Sequence, residues 1–166
     1  VLCVARIEGI KNQINLIRAL NNTRYTLLII GSAAPNHQAY YRECRRIAAP
    51  NIHFMEFVDQ SELVPWYQRA KVHVLPSWFE TCGLSSLEAA AMDCAVVISR
   101  RGFAAEYFQD HAFYCDPSSP ASIREAVDAA SASATNETFQ QKISSEYTWQ
   151  NAAIKTHEAY KKILSL

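Results

Sequence analysis

Two carboxylates stand eight positions apart on either side of a glycine. Glu80 precedes Gly83, and Glu88 follows it. Ser85 and Glu88 have the Ser-x-x-Glu spacing of a capping box, which predicts that a helix begins at Ser85. The amides of residues 81–84 would then lie at a helix N-terminus, where unpaired N–H groups and the helix dipole favour an anion. One interpretation is a phosphate site with a carboxylate on either side for sugar hydroxyls. The other is a capped helix with a solvated Glu80.

Apolar runs that alternate with helical patterns must position this segment. Strands are predicted at 1–5, 25–30, 52–55, 71–75, 95–99 and 112–115. Helices are predicted at 13–20, 37–48, 61–70, 85–92, 120–130, 137–145 and 149–164, with a turn or short helix at 102–107 and a flexible connection at 131–136. Asn12 and Thr148 are the expected caps of two of these helices. The alternation indicates an α/β fold, a doubly wound parallel sheet of about six strands flanked by helices.

In such a sheet, ligands bind at the carboxyl ends of the strands. The loops at those ends cover residues 6–11, 31–35, 58–61, 76–83 and 99–106.

The composition is that of an ordinary globular domain. The 166 residues are 49% hydrophobic and 19% charged, and 16 basic residues balance 16 acidic ones. A formal net charge of zero gives no basic field for nucleic acid, so no nucleic-acid partner is expected. No apolar run reaches the length of a membrane-spanning helix. The chain opens on Val1 within a predicted strand, so we expect it to be part of something longer.

Five cysteines and five histidines are scattered along the chain. The odd cysteine count and the wide spacings indicate reduced thiols in a cytoplasmic protein, and neither disulfides nor a metal site. His73 alternates with apolar residues in a strand and is therefore expected in the core or at its edge. Cys82 would lie at a helix N-terminus beside cations, which predicts a lowered pKa for its thiol. No base stands near it in the sequence, so a covalent role is not expected.

The loops, taken in order, carry the motifs of a known family. The first contains Ala5-Arg6-Ile7 followed by Lys11, the second strand ends at Gly31, and the fourth ends at Pro76-Ser77. Glu80-Thr-Cys-Gly-Leu84 is followed by Glu88-Ala-Ala-Ala91. This pattern resembles the C-terminal, donor-binding domain of the retaining glycosyltransferases of family 4, also called group 1. The resemblance covers essentially the whole chain and implies a Rossmann-like domain, one half of a two-domain GT-B architecture.

Some positions depart from the family pattern. Asn12 follows the lysine where the family has glycine, and Cys82 replaces an aromatic or small apolar residue before Gly83. Asp93 and Ala95 stand where the family usually has glycine and proline, and Phe103 takes the second place of a usual Gly-Gly pair. The phosphate and carboxylate positions are retained, so the departures weaken only the expected backbone approach near residues 93–95 and 102–103.

The resemblance implies a role for each matching residue. Arg6 and Lys11 would clamp the donor diphosphate and stabilise the charge that grows on it, which makes them, with Glu80, the expected catalytic residues. Glu80 would hold the transferred sugar, and Glu88 the ribose hydroxyls. The remaining expected contacts are the helix-start residues Cys82, Gly83 and Leu84 for phosphate, the backbone near Val58 for the base, and Gly31 for the nucleotide.

The resemblance also implies the reaction and its partners. A sugar from a UDP-, GDP- or ADP-linked donor would pass to a hydroxyl of a glycan or lipid-linked acceptor, with no metal or other cofactor. An absent N-terminal domain would hold the acceptor and any peripheral membrane contact. The 147–166 helix would be the segment to pack back toward that domain. The fragment alone would bind donor with negligible transfer. The expected location is the cytoplasm or the inner face of the membrane.

Two other classes remain open at this point. One is a non-catalytic nucleotide or sugar-nucleotide binding module, or an interaction subunit with the same fold. The other is a different α/β enzyme that uses these loops for a phosphorylated metabolite.

Overall fold

Short apolar runs form the strands of one sheet. The computed structural model describes residues 1–134 and 136–164. The strands are β1 Leu2–Val4, β2 Leu27–Ile30, β3 Ile52–Met55, β4 Val72–Leu75, β5 Ala95–Ser99 and β6 Phe113–Cys115. The α-helices are α1 Gln13–Leu20, α2 Gln38–Ile47, α3 Gln60–Arg69, α4 Leu84–Ala91, α5 Ala104–Phe108, α6 Pro120–Ala132, α7 Glu137–Glu146 and α8 Trp149–Leu164. The predicted α/β fold is confirmed.

The strand order creates a crevice at the middle of the sheet. All strands are parallel in the order β3-β2-β1-β4-β5-β6, so the direction of winding reverses between β1 and β4. The β4–β5 ladder has four residue pairs, whereas β1 and β4 are in register only at Leu2 and His73. Such a reversal is the usual ligand position in doubly wound sheets.

Side chains of successive strand residues pack alternately against the helices on the two faces of the sheet. Cys3 and Ile29 join the cluster that contains Leu16 of α1, and Leu2 and Ile30 join the cluster that contains Tyr67 of α3. Apolar residues on both faces explain why the strands read as continuous hydrophobic runs.

The start of α4 differs from the capping-box prediction. The helix begins at Leu84, and its N-cap is Gly83 in the left-handed conformation, so Ser85 lies inside the first turn. The Glu88 carboxylate accepts hydrogen bonds from Gln60 and Tyr67 of α3 and does not reach back to the helix start. The capping box is therefore wrong, because tertiary partners take the carboxylate.

Three other local predictions have different outcomes. Asn12 precedes α1 as expected, but it is left-handed and its side chain makes no cap hydrogen bond. The predicted Thr148 cap is present, since its hydroxyl accepts from the amide of Asn151 at 3.1 Å. The predicted flexible connection at 131–136 is wrong at its start, because α6 continues to Ala132; residue 135 lies outside the described residues.

The last helix buries none of its side chains against the rest of the described chain. None of the residues of α8 is buried, and Trp149 is 83% exposed. Residues 165 and 166 of the predicted 147–166 segment lie outside the described residues.

Candidate functional site

A cavity of about 590 Å³ opens at the carboxyl ends of β1, β2 and β4. Its walls come from the loops after β1, β2, β3 and β4 and from the first turns of α4. All nine residues that the sequence nominated line it: Arg6, Lys11, Gly31, Val58, Glu80, Cys82, Gly83, Leu84 and Glu88. The structure thus brings the whole predicted set together, while the role of each residue stays a prediction.

Lys11 and Glu80 meet inside this cavity. The Lys11 Nζ lies 2.8 Å from Oε2 of Glu80, and both side chains are largely shielded from solvent, at 16% and 12% exposure. The Ser77 hydroxyl donates to the same Oε2 at 3.1 Å. An ammonium has three donors and a carboxylate has about four acceptor positions, so both groups keep bonding capacity for a ligand.

Arg6 is also paired with a carboxylate. Its guanidinium lies 2.9 Å from Oε1 of Glu8, and the Arg6 side chain is 77% exposed. That Glu8 oxygen is buried without a well-aligned hydrogen bond, so the contact is an ion pair only. Glu8 also lies 3.7 Å from Nε2 of His37. The sequence reasoning missed Glu8, because its partners are set by the path of the loop.

Asn12 fixes the loop that carries Lys11. Its left-handed backbone, with φ of 60°, is one that asparagine tolerates better than most residues, which accounts for its presence at a position where the family has glycine. Its side-chain amide donates to the carbonyls of Pro76 at 3.0 Å and Pro117 at 2.7 Å. Trp78 adds a backbone bond from its amide to the carbonyl of Ile10 at 2.8 Å. The Lys11 loop and the Glu80 loop are therefore held together.

Glu80 is held from the other side by the loop after β5. Its amide donates to the carbonyl of Arg101 at 3.2 Å, and its carbonyl accepts from Phe103 at 2.8 Å. Gly102 lies between these two residues with φ of +85°, and a Cβ there would lie 2.2 Å from the Glu80 carbonyl oxygen. Only glycine permits this approach. Position 103 does not need the second glycine of the family's Gly-Gly pair, since Phe103 contributes its backbone amide to this contact. The Phe103 ring packs edge-on against Phe79.

Glu88 forms the opposite wall of the cavity. The Gln60 side-chain amide donates to its Oε1 at 2.7 Å, and the Tyr67 hydroxyl donates to its Oε2 at 3.0 Å. Burial, followed by the Glu88 charge, raises the pKa of Tyr67, so the phenol remains a donor. Tyr67 was not among the predicted site residues, because its contact with Glu88 depends on how α3 lies beside α4.

The first turn of α4 offers amides to the cavity. Ser86 and Leu87 donate to the carbonyl of Gly83. Among the residues that the structure describes, no hydrogen bond uses the amide of Gly83 or Ser85. Unpaired amides at a helix start are suited to an anion.

The pKa prediction for Cys82 is wrong. Burial raises the pKa of its thiol, and the charge of Glu80 acts in the same direction. The backbone amide of Leu84 and the charge of Lys11 lower this pKa, but both effects are smaller. Cys82 is therefore a half-buried thiol with a raised pKa that lines the cavity.

Comparison with known proteins identifies the family. Residues 1–132 match the model of the family described as "Glycosyl transferases group 1". The chain belongs to the group 1 glycosyl transferases. Its relatives include the glycogen synthase of Mycobacterium tuberculosis, at 29% identity over 172 residues, which cover 96% of this chain and 42% of that protein. Another is the D-rhamnosyltransferase WbpZ of Pseudomonas aeruginosa, at 31% identity over 117 residues, which cover 68% of this chain and 30% of that protein.

Solved glycosyltransferase structures share the fold. A glycosyltransferase from Rickettsia africae superposes with a TM-score of 0.84 at 17% identity, over 98% of this chain and 47% of that one. Anabaena HepE, solved in complex with UDP and glucose, gives 0.76 at 18% identity, over 99% and 48%. The chain thus spans less than half the length of each of these proteins, from 30% to 48%. None of the helices described here is long and apolar enough to cross a membrane.

Proposed function

We propose that this chain is the donor-binding half of a glycosyltransferase that uses a nucleotide diphosphate sugar and retains the anomeric configuration. The main observation behind this proposal is that the nine residues predicted from the motifs line one cavity, although they lie on separate loops. This cavity is at the crevice of the sheet. Because HepE, which shares this fold, was solved with UDP and glucose, it supports a nucleotide sugar as the ligand.

We assign the stabilisation of the departing diphosphate to side chains and amides that line this cavity. Lys11 can donate to a phosphate while it keeps Glu80, and Arg6 is exposed enough to exchange Glu8 for the ligand. Both cations and the amides at the start of α4 would stabilise the charge that develops on the leaving diphosphate. Glu80 would orient the sugar, and Glu88, already fixed by Tyr67, would accept from ribose hydroxyls.

The acceptor side of the reaction lies outside this chain in our proposal. A glycan or lipid-linked hydroxyl would be presented by an N-terminal domain, so the chain by itself would bind donor with negligible transfer. The exposed helix α8 is the segment that we assign to contact with that domain. All five cysteines are unpaired, which supports a reducing, cytoplasmic location.

Calorimetric titration of the full-length protein with UDP, GDP, ADP and their sugars tests the proposal. We expect saturable binding to one nucleotide family, weakened about tenfold or more by Glu88→Ala, because the ribose loses a charged hydrogen-bond partner. Glu125→Ala, on an exposed position of α6, is the matched control. Absence of binding to every nucleotide would refute the site.

Transfer assays separate an enzyme from a binding module. Glu80→Gln keeps the shape of the side chain but removes the charge that pairs with Lys11 and orients the sugar. We expect donor binding to persist while transfer and donor hydrolysis fall. Wild-type protein that binds donor without transfer or hydrolysis would favour the non-catalytic alternative.

A further inference from the structure

A fully buried histidine belongs to β4, one of the two strands between which the winding of the sheet reverses. His73 of β4 is 0% exposed. Its Nε2 lies 3.4 Å from the amide nitrogen of Val4, and its Nδ1 lies 3.3 Å from the Ser86 hydroxyl. The side chain thus bridges β1, β4 and the first turn of α4.

The partners of the ring determine its protonation state. A backbone amide can only donate, so the Nε2 that faces Val4 must be the unprotonated nitrogen. A neutral ring then carries its proton on Nδ1, which donates to the Ser86 hydroxyl. A second proton would place two donors face to face at Val4. Burial acts in the same direction and lowers the pKa of His73 to about 3.

The groups that His73 contacts adjoin separate walls of the cavity. Val4 lines the cavity and leads directly into the loop of Arg6 and Lys11. Ser86 follows the three residues at the start of α4 that also line it. The His73 ring packs edge-on against Tyr67 at 6.0 Å, and the Tyr67 hydroxyl holds Glu88.

We propose that His73 is a positioning residue for the donor site, whose neutral imidazole sets the distance between the end of β1 and the first turn of α4. This inference rests on the proposed function. A link made by a side chain is needed here because β1 and β4 are in register at one pair only. β4 also ends before Pro76, which has no amide to extend the ladder. The imidazole supplies a cross-link at the point where backbone pairing stops.

A space-filling role would give a different result from a positioning role. Phenylalanine fills nearly the same volume, so a histidine that only fills the core could be replaced by it without loss. Two polar groups would, however, lose their buried partner in His73→Phe, namely the Val4 amide and the Ser86 hydroxyl. Glutamine at position 73 retains an acceptor for the Val4 amide and should restore part of the function.

The ring state is tested first, by nitrogen NMR of the imidazole in the full-length protein. We expect Nε2 to show the shift of an unprotonated nitrogen and Nδ1 that of a protonated one, with no change as the pH is lowered to about 5. The opposite tautomer, or a protonated ring, would overturn the inference whatever the protein binds.

Nucleotide titration then tests the positioning. UDP, GDP and ADP are the probes, and we expect His73→Phe to weaken the binding of the preferred one about tenfold, with partial rescue in His73→Gln. His53→Phe, at an exposed position of β3, is the matched control. Ser86→Ala removes only the hydroxyl that His73 contacts, and we expect this variant to weaken nucleotide binding as well. It therefore tests the positioning role if His73→Phe does not fold.

Failure of the inference and failure of the proposed function give distinct results. Equal affinity of wild type, His73→Phe and Ser86→Ala would overturn the positioning role and leave the donor site standing. A wild-type protein that binds no nucleotide would refute the proposed function, and the positioning role with it.

Discussion

Removal of His73 should make the protein less sensitive to acid. In the folded protein burial lowers the pKa of this ring to about 3, against an ordinary value of 6.5. Below the ordinary value the unfolded chain takes up a proton that the folded chain does not bind. The stability contributed by the neutral ring is therefore complete above pH 6.5 and is lost progressively as the pH falls toward 3.

The size of the loss follows from the pKa difference. Each pH unit in this window is worth about 1.4 kcal/mol, so at about pH 4.5 the histidine alone should lower the free energy of unfolding by about 3 kcal/mol. His73→Phe has no such group. We expect its free energy of unfolding to fall about 3 kcal/mol less than that of wild type between about pH 7.5 and about pH 4.5.

Urea denaturation at a series of pH values, with matched buffers, measures this difference. His53→Phe is the control, because its side chain is exposed in β3 and its curve should follow wild type. Carboxylates contribute to acid unfolding in all three proteins and cancel in the comparison. If His73→Phe and wild type lose the same stability over the window, the ring is protonated in the fold and the reasoning about its partners is refuted.

Three further predictions concern other contacts. Gly102→Ala should lower the free energy of unfolding by about 1–3 kcal/mol in urea denaturation, because the added Cβ would lie 2.2 Å from a backbone oxygen. Gly9→Ala is the control and should not lower it, since nothing lies within 4 Å of the Cβ added there. Glu8→Gln should tighten nucleotide diphosphate binding by up to about fivefold in calorimetry, because it removes the ion pair that holds the exposed Arg6 side chain on the buried Glu8 carboxylate; weaker binding would show instead that Glu8 orients Arg6. Acrylamide should quench the fluorescence of Trp149 in the 166-residue chain, and this fluorescence should be shielded in the full-length protein. Equal quenching of Trp149 in the two proteins would contradict the contact assigned to α8.

The strands were predictable because their apolar runs are continuous. The predicted ranges 52–55 and 95–99 coincide with β3 and β5, whereas the predicted 25–30 begins two residues before β2. Tyr25 is buried, but its carbonyl accepts from the Asn51 side chain instead of joining the ladder. Hydropathy alone cannot distinguish a buried residue outside the sheet from a residue that pairs in a strand.

The position of the site was predictable, but its internal pairing was not. Parallel strands bring their following loops to one edge, which explains why the nominated residues share a cavity. The Lys11–Glu80 contact joins residues 69 positions apart and depends on β1 lying beside β4. Alternation of strands and helices predicts a parallel sheet but not the order of its strands. The lowered pKa expected for Cys82 failed because burial and then the charge of Glu80 outweigh the effect of Lys11, and both depend on how the loops pack.

The charges around the cavity show how a diphosphate would have to bind. Two cations, Arg6 and Lys11, and two carboxylates, Glu80 and Glu88, line the cavity, so the charged side chains of its lining sum to zero. A diphosphate would therefore gain little from the net field and depends on placed donors. Those donors are the unpaired amides at the start of α4, the spare N–H groups of Lys11, and Arg6 once it leaves Glu8. Each acts only if the end of β1 and the start of α4 are held at the right separation, which is the role that we assign to the imidazole of His73.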